Sequence, residues 1–227
     1  MNIPLSKRLS VCAKLVNKGD RIADIGCDHG YLSIYLLKNG IAASAIAADI
    51  NEMPLASAQR NALRFGVENH ISFHLSDGAA SIPRDFDTMI CAGMGADTMI
   101  SILEAAPWLR CKQYRLILQC QSKTPMLRKF LSDSGWAITR ESVLRDGRFL
   151  YTVMEVCWDP EAPQLTVGQC YFSPALFDSN DPELSEYYQQ VCFRLERAVT
   201  GQKNDADPEM QQALNELKTY PTWLKGE

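Results

Sequence analysis

The sequence predicts an α/β fold in which a mainly parallel sheet is closed by an antiparallel hairpin and followed by a small α-helical hairpin. Strand-like and helical runs alternate over the first two-thirds of the 227 residues, which is typical of a parallel sheet with helices on both faces. Two extended runs then flank Asp146-Gly147, a strong hairpin signal. Two runs with helical periodicity complete the chain.

The predicted strands of the parallel sheet are short apolar runs: Arg21–Ile25, Ser44–Asp49, Ile71–Leu75, Phe86–Cys91 and Arg115–Gln119. The intervening segments have apolar residues at helical spacing and predict helices near Tyr31–Asn39, Pro54–Phe65, Ala96–Ala106 and Thr124–Ser134. Gly40 and Gly66 follow two of these helices, in the position where positive φ commonly ends a helix. The closing hairpin is predicted to pair Trp136–Val143 with Phe149–Trp158.

The last third of the chain is predicted to be a linker and two helices. The linker covers Asp159–Thr166, which contains two prolines. Asp181-Pro182-Glu183 and Asp207-Pro208-Glu209 each combine an N-cap acid with proline in the first turn, a typical helix start. We therefore predict two domains, with the sheet in residues 1–160 and the helical hairpin in residues 161–227.

Composition limits the class of protein. With 46% apolar residues and a net charge of −4, the chain can bury a full core. No run approaches 18 uncharged apolar residues, and residues 1–17 predict an amphipathic helix instead of a signal peptide. Eight scattered cysteines without a C-x-x-C pair predict reduced thiols and no metal site. We expect a cytoplasmic monomer or weak dimer with no membrane partner.

Charge is unevenly distributed, with a positive balance in residues 1–159 and a negative one in residues 160–227. A nucleic-acid partner would require a basic patch in the first part. Ordinary solvated helix faces explain the same residues equally well. The candidates are Lys7, Arg8, Lys14, Lys18, Arg110, Lys112, Lys123, Arg128, Lys129, Arg140, Arg145 and Arg148.

The turn after the first predicted strand, residues 24–30, is the strongest candidate for a binding site. Its glycines, Gly26 and Gly30, allow a ligand to approach the backbone at a helix start. Asp28 occupies the position of the second glycine in a dinucleotide fingerprint, so a pyrophosphate would meet a carboxylate there. An acid-rich turn suits a cationic, hydroxyl-bearing ligand such as S-adenosylmethionine (SAM). An ordinary tight turn is the alternative.

Acidic residues also follow the next two predicted strands. Asp49, followed by Ile50, ends the second strand 19 positions after Gly30, where a carboxylate can bind ribose hydroxyls. Asp77-Gly78 follows the third strand, where an acid can accept from an adenine amino group. A helix-capping acid and a simple Asp-Gly turn are the alternatives. Because carboxyl ends of parallel strands share one edge of a sheet, the three acids favour one nucleoside site.

Two further segments follow the fourth and fifth predicted strands. The glycines of Ala92-Gly93-Met94-Gly95 allow the backbone to approach a reacting methyl group and its acceptor, although Met94 is equally consistent with core packing. The amides of Gln119-Cys120-Gln121 either hydrogen-bond a base edge or end the strand. The sequence contains no G-x-S-x-G elbow, so this signal of Ser-His-Asp catalysis is missing.

Six segments resemble, in order and spacing, the bacterial TrmK family of tRNA methyltransferases: Leu5–Leu9, Asp24–Leu32, Ser76–Gly78, Ala92–Gly95, Leu116–Gln119 and Asp146–Tyr151. Members of this family methylate N1 of adenine 22. The resemblance covers essentially the whole chain and implies a Rossmann-like class I methyltransferase fold, SAM as cofactor and tRNA as partner. It also implies that the C-terminal helical hairpin grips tRNA.

The resemblance implies a set of site residues by position. The implied SAM contacts are Asp24, Gly26, Cys27, Asp28, His29, Asp49, Ile50, Asp77, Gly78, Ala92 and Gly93. Residues 93–95 are implied to face the substrate, and Asp28, Met94 and Gly95 are the catalytic candidates. His29 is expected to hydrogen-bond or stack, with a general base as the alternative.

The expected reaction is direct in-line transfer of the methyl group to adenine N1. Neutral N1 has a free lone pair, so alignment matters more than a general base. Asp28 would accept from the exocyclic amine and stabilise the positive charge that develops on the purine. Two alternatives are a methyltransferase acting on another RNA or small molecule, and a non-catalytic SAM-binding module.

Overall fold

The structure is a computed structural model that describes residues 3–201, 207–221 and 224. Within these residues the strands are β1 (Arg21–Ile25), β2 (Ser44–Asp49), β3 (Ile71–Leu75), β4 (Thr88–Met94), β5 (Arg115–Cys120), β6 (Trp136–Asp146) and β7 (Phe149–Trp158). The α-helices are α1 (Lys7–Leu15), α2 (Tyr31–Lys38), α3 (Glu52–Phe65), α4 (Ala96–Ala105), α5 (Thr124–Asp133), α6 (Val167–Tyr171), α7 (Leu184–Gly201) and α8 (Pro208–Lys218). Short 3₁₀ turns lie at 68–70, 107–109 and 174–176.

The strands form one sheet in the order β3-β2-β1-β4-β5-β7-β6. Neighbouring strands from β3 to β5 run parallel, whereas β7 is antiparallel to both β5 and β6. The predicted α/β class, with a mainly parallel sheet and a closing hairpin, is therefore confirmed. The order reverses between β1 and β4, which is where ligands bind in open sheets of this kind.

The fourth strand differs from its prediction at both ends. It begins at Thr88 because the Phe86 ring instead packs against Tyr114 and Trp108, with centroids 4.9 and 6.0 Å away. It continues to Met94, and its register against β5 shifts between Ala92 and Met94. This bulge turns the end of β4 towards the turn that follows β1.

Helices cover both faces of the sheet. Helices α4 and α5 pack on one face through Met99, Leu103 and Leu127. Helices α1, α2 and α3 pack on the other face, with Cys12 and Leu32 among their buried side chains. This arrangement of two apolar faces is the one that the alternation of strands and helices predicts.

The C-terminal helices form a third apolar cluster around Phe172, which contains Tyr187 of α7, Leu214 of α8 and Val143 of β6. Their apolar stripes are thus buried against each other and against the sheet. The polar link predicted between α7 and α8 falls on residues 202–206, outside the described residues.

The start of α7 differs from its prediction. Helix α7 begins at Leu184 because the Asp181 carboxylate accepts a 2.7 Å hydrogen bond from the Val143 N–H and does not cap a helix. The predicted cap at Asp207 is confirmed, since its side chain accepts from the Glu209 N–H.

Arg128, a candidate for the basic patch, lies in the interior instead. Its guanidinium is 0% exposed and pairs with Glu141 on β6 at 2.6 Å. It also donates to the carbonyls of Cys170 and Tyr171, at 2.9 Å each, and to the Tyr187 hydroxyl at 3.3 Å. The prediction of Arg128 as a nucleic-acid contact is therefore wrong. The side chain joins the sheet and α5 to the C-terminal helices.

Three further observations concern the described residues alone. None of their helices is both long and apolar enough to cross a membrane. No three of their His, Cys, Asp or Glu side chains are grouped so as to hold a metal ion. All eight cysteines lie in this part of the chain, and no disulfide joins any two of them.

Candidate active site

A cavity of about 320 Å³ opens beside the carboxyl ends of β1 and β4. The turn after β1, the end of β4 and the start of α1 line it. The structure thereby brings together most of the predicted site residues. The predicted residues in its lining are Asp24, Gly26, Cys27, Asp28, His29, Ala92, Gly93 and Met94.

The turn after β1 is held against β2 by its backbone. The N–H groups of Gly26 and Cys27 both donate to the Ala48 carbonyl, at 2.8 and 2.9 Å. Asp28 has a φ of +51°, a conformation that L side chains rarely adopt. Its N–H donates to Oδ2 of Asp49 at 3.2 Å. The turn and the end of β2 therefore form one unit.

The carboxylate of Asp49 is oriented by two backbone donors and is 8% exposed. Besides the Asp28 N–H, the Asn51 N–H donates to Oδ1 at 2.9 Å. Each oxygen keeps acceptor capacity, because a carboxylate oxygen has two lone pairs. Ile50 follows with 61% of its surface exposed. Asp49 and Ile50 both lie next to the cavity and not in its lining. The Asp49 carboxylate offers acceptors for hydroxyls, and the Ile50 side chain beside it offers an apolar surface for a flat group.

Asp24 is the buried acid of the cavity wall. It is 4% exposed, and Ser33 Oγ donates to its Oδ2 at 2.8 Å. Burial raises the pKa of Asp24 to about 6, and the negative charge of Asp49 acts in the same direction. A cation placed in the cavity would favour ionised Asp24 and offset this burial.

Gly26 and Met94 are in direct contact across the cavity floor. A Cβ atom at Gly26 would overlap Cε of Met94, so a larger residue there requires the flexible end of the thioether to move. The Met94 carbonyl accepts a 2.8 Å hydrogen bond from the Gln121 N–H. Met94 thus links the β1 turn to the loop after β5, and it also packs, partly buried, against the apolar cluster beneath α4 and α5, as the core alternative predicts.

Gln119 supports the bulge at the end of β4. Its Oε1 accepts from the Gly93 N–H at 3.1 Å, and its Nε2 donates to the Cys120 carbonyl at 3.1 Å. Both polar ends of this buried side chain therefore bind backbone. Of the two predicted glutamines, Gln121 is the one whose amide stays available at the cavity wall.

Asp28 and His29 stand exposed at the cavity mouth. The His29 ring lies 2.9 Å from Ser57 Oγ through Nδ1 and 3.6 Å from Asp28 Oδ1 through Nε2. It also makes a tilted contact with the Tyr31 ring at 5.9 Å. The contact with Ser57 is consistent with a hydrogen-bonding role for His29, whereas the ring pair with Tyr31 is tilted and not stacked. The Asp28 carboxylate can accept from a bound group.

Besides Asp49 and Ile50, three more predicted residues lie outside the cavity lining. Asp77 is exposed beyond β3 on the same edge of the sheet. Gly78 is a packing glycine, since an added Cβ would lie 2.7 Å from Ile102 Cγ1. Gly95 caps α4 beside the loop after β5, where an added Cβ would lie 2.9 Å from Ser122 Oγ. The two glycines position the neighbouring elements and do not face the cavity.

The start of α1 contributes lining residues that chemical reasoning from strand ends did not predict: Ser6, Arg8 and Leu9. Arg8 donates to Asp146 Oδ2 at 2.8 Å and lies over the Tyr151 ring at 5.2 Å. Its partners are far along the chain, so only the resemblance at Leu5–Leu9 connects this predicted helix with the site. The ion pair anchors α1 to the closing hairpin beside the cavity.

Four of the other ten basic candidates are engaged in ion pairs within the described part of the chain. Arg148 lies over the neighbouring Phe149 ring at 4.9 Å and pairs with no carboxylate of the described residues. For the paired side chains, an ordinary solvated surface is a better explanation than a basic patch for nucleic acid. These pairs are Lys123 with Asp97, Lys129 with Asp133, Arg140 with Glu155 and Arg145 with Glu186.

Comparisons with known proteins agree with this geometry. A methyltransferase-domain family model matches residues 5–154. A Bacillus subtilis protein named tRNA (adenine(22)-N(1))-methyltransferase is 35% identical over 153 residues, which are 67% of this chain and 64% of that protein.

Two solved structures are similar over nearly the whole chain. The B. subtilis m1A22 tRNA methyltransferase TrmK has a TM-score of 0.80 and 28% identity, with 99% of each chain covered. The Mycoplasma capricolum TrmK, solved with S-adenosyl-homocysteine, has a TM-score of 0.78 and 27% identity, with 95% of this chain and 97% of that one covered. The chain therefore belongs to the TrmK family of methyltransferase-domain proteins.

Proposed function

We propose that the protein transfers a methyl group from SAM to N1 of adenine 22 in tRNA. The observation that carries this proposal is the cavity in which Asp24, Asp28 and Met94 converge at the ends of β1 and β4. The B. subtilis relative is named for this reaction, and the M. capricolum structure contains the product form of the cofactor.

The residues around the cavity fit SAM. Buried Asp24 supplies a negative charge for the ammonium group, and Asp49 supplies oriented acceptors for the ribose diol. Exposed Ile50 offers an apolar face for the adenine, with Asp77 on the same edge for its amino group. Gly26 leaves the backbone accessible. When bound, SAM supplies an activated methyl group on its sulfonium.

The protein's own contribution is mainly alignment. Met94 and the Gly93 bulge fix the wall on the acceptor side, and Gln121, Ser6 and Leu9 extend it. Alignment of two reactants supplies about 7–11 kcal/mol in favourable cases. Adenine N1 is neutral and has a free lone pair, so no residue has to remove a proton before attack.

Asp28 is proposed to stabilise the purine as it becomes positively charged. Its exposed carboxylate at the mouth can accept a hydrogen bond from the exocyclic amine. A base-paired N1 is inaccessible, so the adenine has to leave its stack, at a cost of a few kcal/mol. The Asp28 carboxylate lies at the cavity mouth, where it would be among the first groups to contact the incoming base.

The assignment of domains is part of the proposal. Residues 1–160 would bind SAM and the target adenine, while residues 161–227 would grip the body of the tRNA. A tRNA substrate places the activity in the cytoplasm, and a monomer or weak dimer remains our expectation.

The test combines product analysis with an Asp28 variant. Bulk tRNA is incubated with protein and SAM, digested, and analysed for N1-methyladenosine by mass spectrometry. Asp28→Asn is the informative change because asparagine tolerates positive φ while losing the charge. We expect methyl transfer to fall at least about tenfold, with SAM binding by calorimetry retained. Full methylation by this variant would remove the role of Asp28.

A further inference from the structure

A second cavity, of about 300 Å³, lies between the loop after β5 and helix α7. Residues 120–125 form one wall and α7 forms another, with Thr152 of β7 between them. The second cavity shares Gln121 with the first, so the two lie side by side along one loop. The reaction proposed above assigns no role to it.

Thr152 has an unusual environment in this cavity. It is 2% exposed, and its hydroxyl has no hydrogen-bond partner among the described residues. Strand alternation places it on the same face of β7 as Leu150 and Met154, which pack towards the C-terminal helices and the core beneath α5. A buried hydroxyl without a partner is unfavourable. Because the hydroxyl oxygen has less than 1 Å² of accessible surface, a ligand with a hydrogen-bonding edge would remove that cost once neighbouring side chains move aside.

The remaining walls are apolar, and cations flank them. Tyr171, Leu195 and Met210 offer surfaces for a flat apolar group. Lys123 lines the cavity from the loop, and Arg194 lines it from α7. Arg194 donates to the Gln190 carbonyl through Nε and pairs with no carboxylate of the described residues. A nucleotide has a flat base for the apolar surfaces, a polar base edge for the hydroxyl and a phosphate for the nearby cations.

We propose that this cavity binds the base of an unpaired nucleotide next to the methylated adenine. The Thr152 hydroxyl binds the base edge, and Arg194 neutralises an adjoining phosphate. We assign the second cavity to a neighbouring nucleotide because Gln121 borders both cavities. Groups bound in two adjacent cavities are close along one strand. The inference rests on the proposed methylation of tRNA and adds a second recognition site to it.

Three variants test the second site. Thr152→Val removes the hydroxyl while keeping a β-branched strand residue, and Ala198→Phe fills the cavity from α7. Val199→Phe is the matched control, since Val199 borders a different groove between α7 and α8. Thermal unfolding verifies folding, and Thr152→Val is expected to leave Tm unchanged or raise it. Steady-state kinetics on tRNA, SAM calorimetry and 2-aminopurine placed on either side of adenine 22 provide the readouts.

We expect the KM for tRNA to rise about three- to tenfold in Thr152→Val and about fivefold or more in Ala198→Phe. The Kd for SAM stays unchanged, and fluorescence quenching of one flanking 2-aminopurine is lost in Ala198→Phe. If both variants match Val199→Phe in KM and quenching while the wild type methylates tRNA, this inference fails alone. If the wild type methylates no tRNA, the proposed function fails and this inference with it.

Discussion

The backbone N–H of Asp28 donates to Oδ2 of Asp49, which joins the turn after β1 to the end of β2. The same carboxylate accepts from the Asn51 N–H. One acid therefore fixes the positive-φ turn that carries Asp28 and presents acceptors beside the cavity. Loss of this acid affects the shape of the turn and the binding of hydroxyls together.

Asp49→Ala is expected to weaken SAM binding by about 10- to 100-fold, because hydrogen bonds to a charged group are lost. Isothermal titration calorimetry measures the effect. Glu104→Gln, on the exposed side of α4, is the control and should bind SAM like the wild type. Wild-type affinity in Asp49→Ala would show that the carboxylate has no part in cofactor binding.

Gly26→Ala tests the contact with Met94. The new Cβ overlaps Met94 Cε and also meets an unfavourable φ of +70°. Gly66→Ala isolates the second effect, since Gly66 has a φ of +68° and nothing within 4 Å of an added Cβ. We expect a loss of unfolding free energy of about 1–2 kcal/mol for Gly66→Ala and a moderately larger loss for Gly26→Ala, because the flexible end of Met94 can move. Equal losses in urea denaturation would mean that the Met94 contact is unimportant.

SAM affinity should depend on pH through Asp24. Its pKa of about 6 is raised by burial, so the folded protein holds this proton at pH values where the unfolded chain has released it. The ammonium of SAM requires the ionised form, so Kd is expected to rise below about pH 6, approaching tenfold per pH unit. Calorimetry from pH 5 to 8 measures this.

Two variants assign the pH dependence. Asp24→Asn should bind SAM weakly with little change across the range, because the titrating carboxyl is gone. His29→Asn should keep the dependence. A flat profile in the wild type, or a profile that His29→Asn abolishes, would exclude Asp24 as the titrating group.

The buried pair of Arg128 and Glu141 is expected to stabilise the junction between the sheet and the C-terminal helices. Arg128→Met leaves Glu141 buried without its partner and should reduce the free energy of unfolding by about 3–5 kcal/mol. Lys129→Met breaks the exposed pair with Asp133 and should cost less than about 1 kcal/mol. Urea denaturation of both variants decides the matter, and similar losses would refute the role given to Arg128.

Much of the fold follows from the periodicity of the sequence. Strand–helix alternation and the Asp146-Gly147 turn predict the sheet and its closing hairpin, because both signals are local. Element ends that depend on tertiary contacts are predicted poorly. The apolar character of Phe86 predicts a strand residue, yet its ring packs with Tyr114 and the strand begins at Thr88. Asp181 has a capping pattern, but its carboxylate binds the Val143 N–H, 38 residues away.

In the candidate site, too, some features follow from local sequence and others depend on contacts between distant residues. The convergence of Asp24, Asp28 and Met94 follows from the rule that carboxyl ends of parallel strands share an edge. The position of α1 over the cavity depends on the pairing of Arg8 with Asp146, 138 residues away. No local pattern contains that information. The burial of Arg128 is similar, since two of its acceptors are carbonyls of α6, a helix that the sequence did not predict.

The most direct test of the account is nucleoside mapping on two tRNA transcripts that differ only at position 22. Each is incubated with protein and SAM, cut into fragments and analysed by mass spectrometry. The account predicts N1-methyladenosine at position 22 of the transcript with adenine and no methylation of the transcript with guanine. Methylation that survives the replacement, or a product at another position, would contradict it.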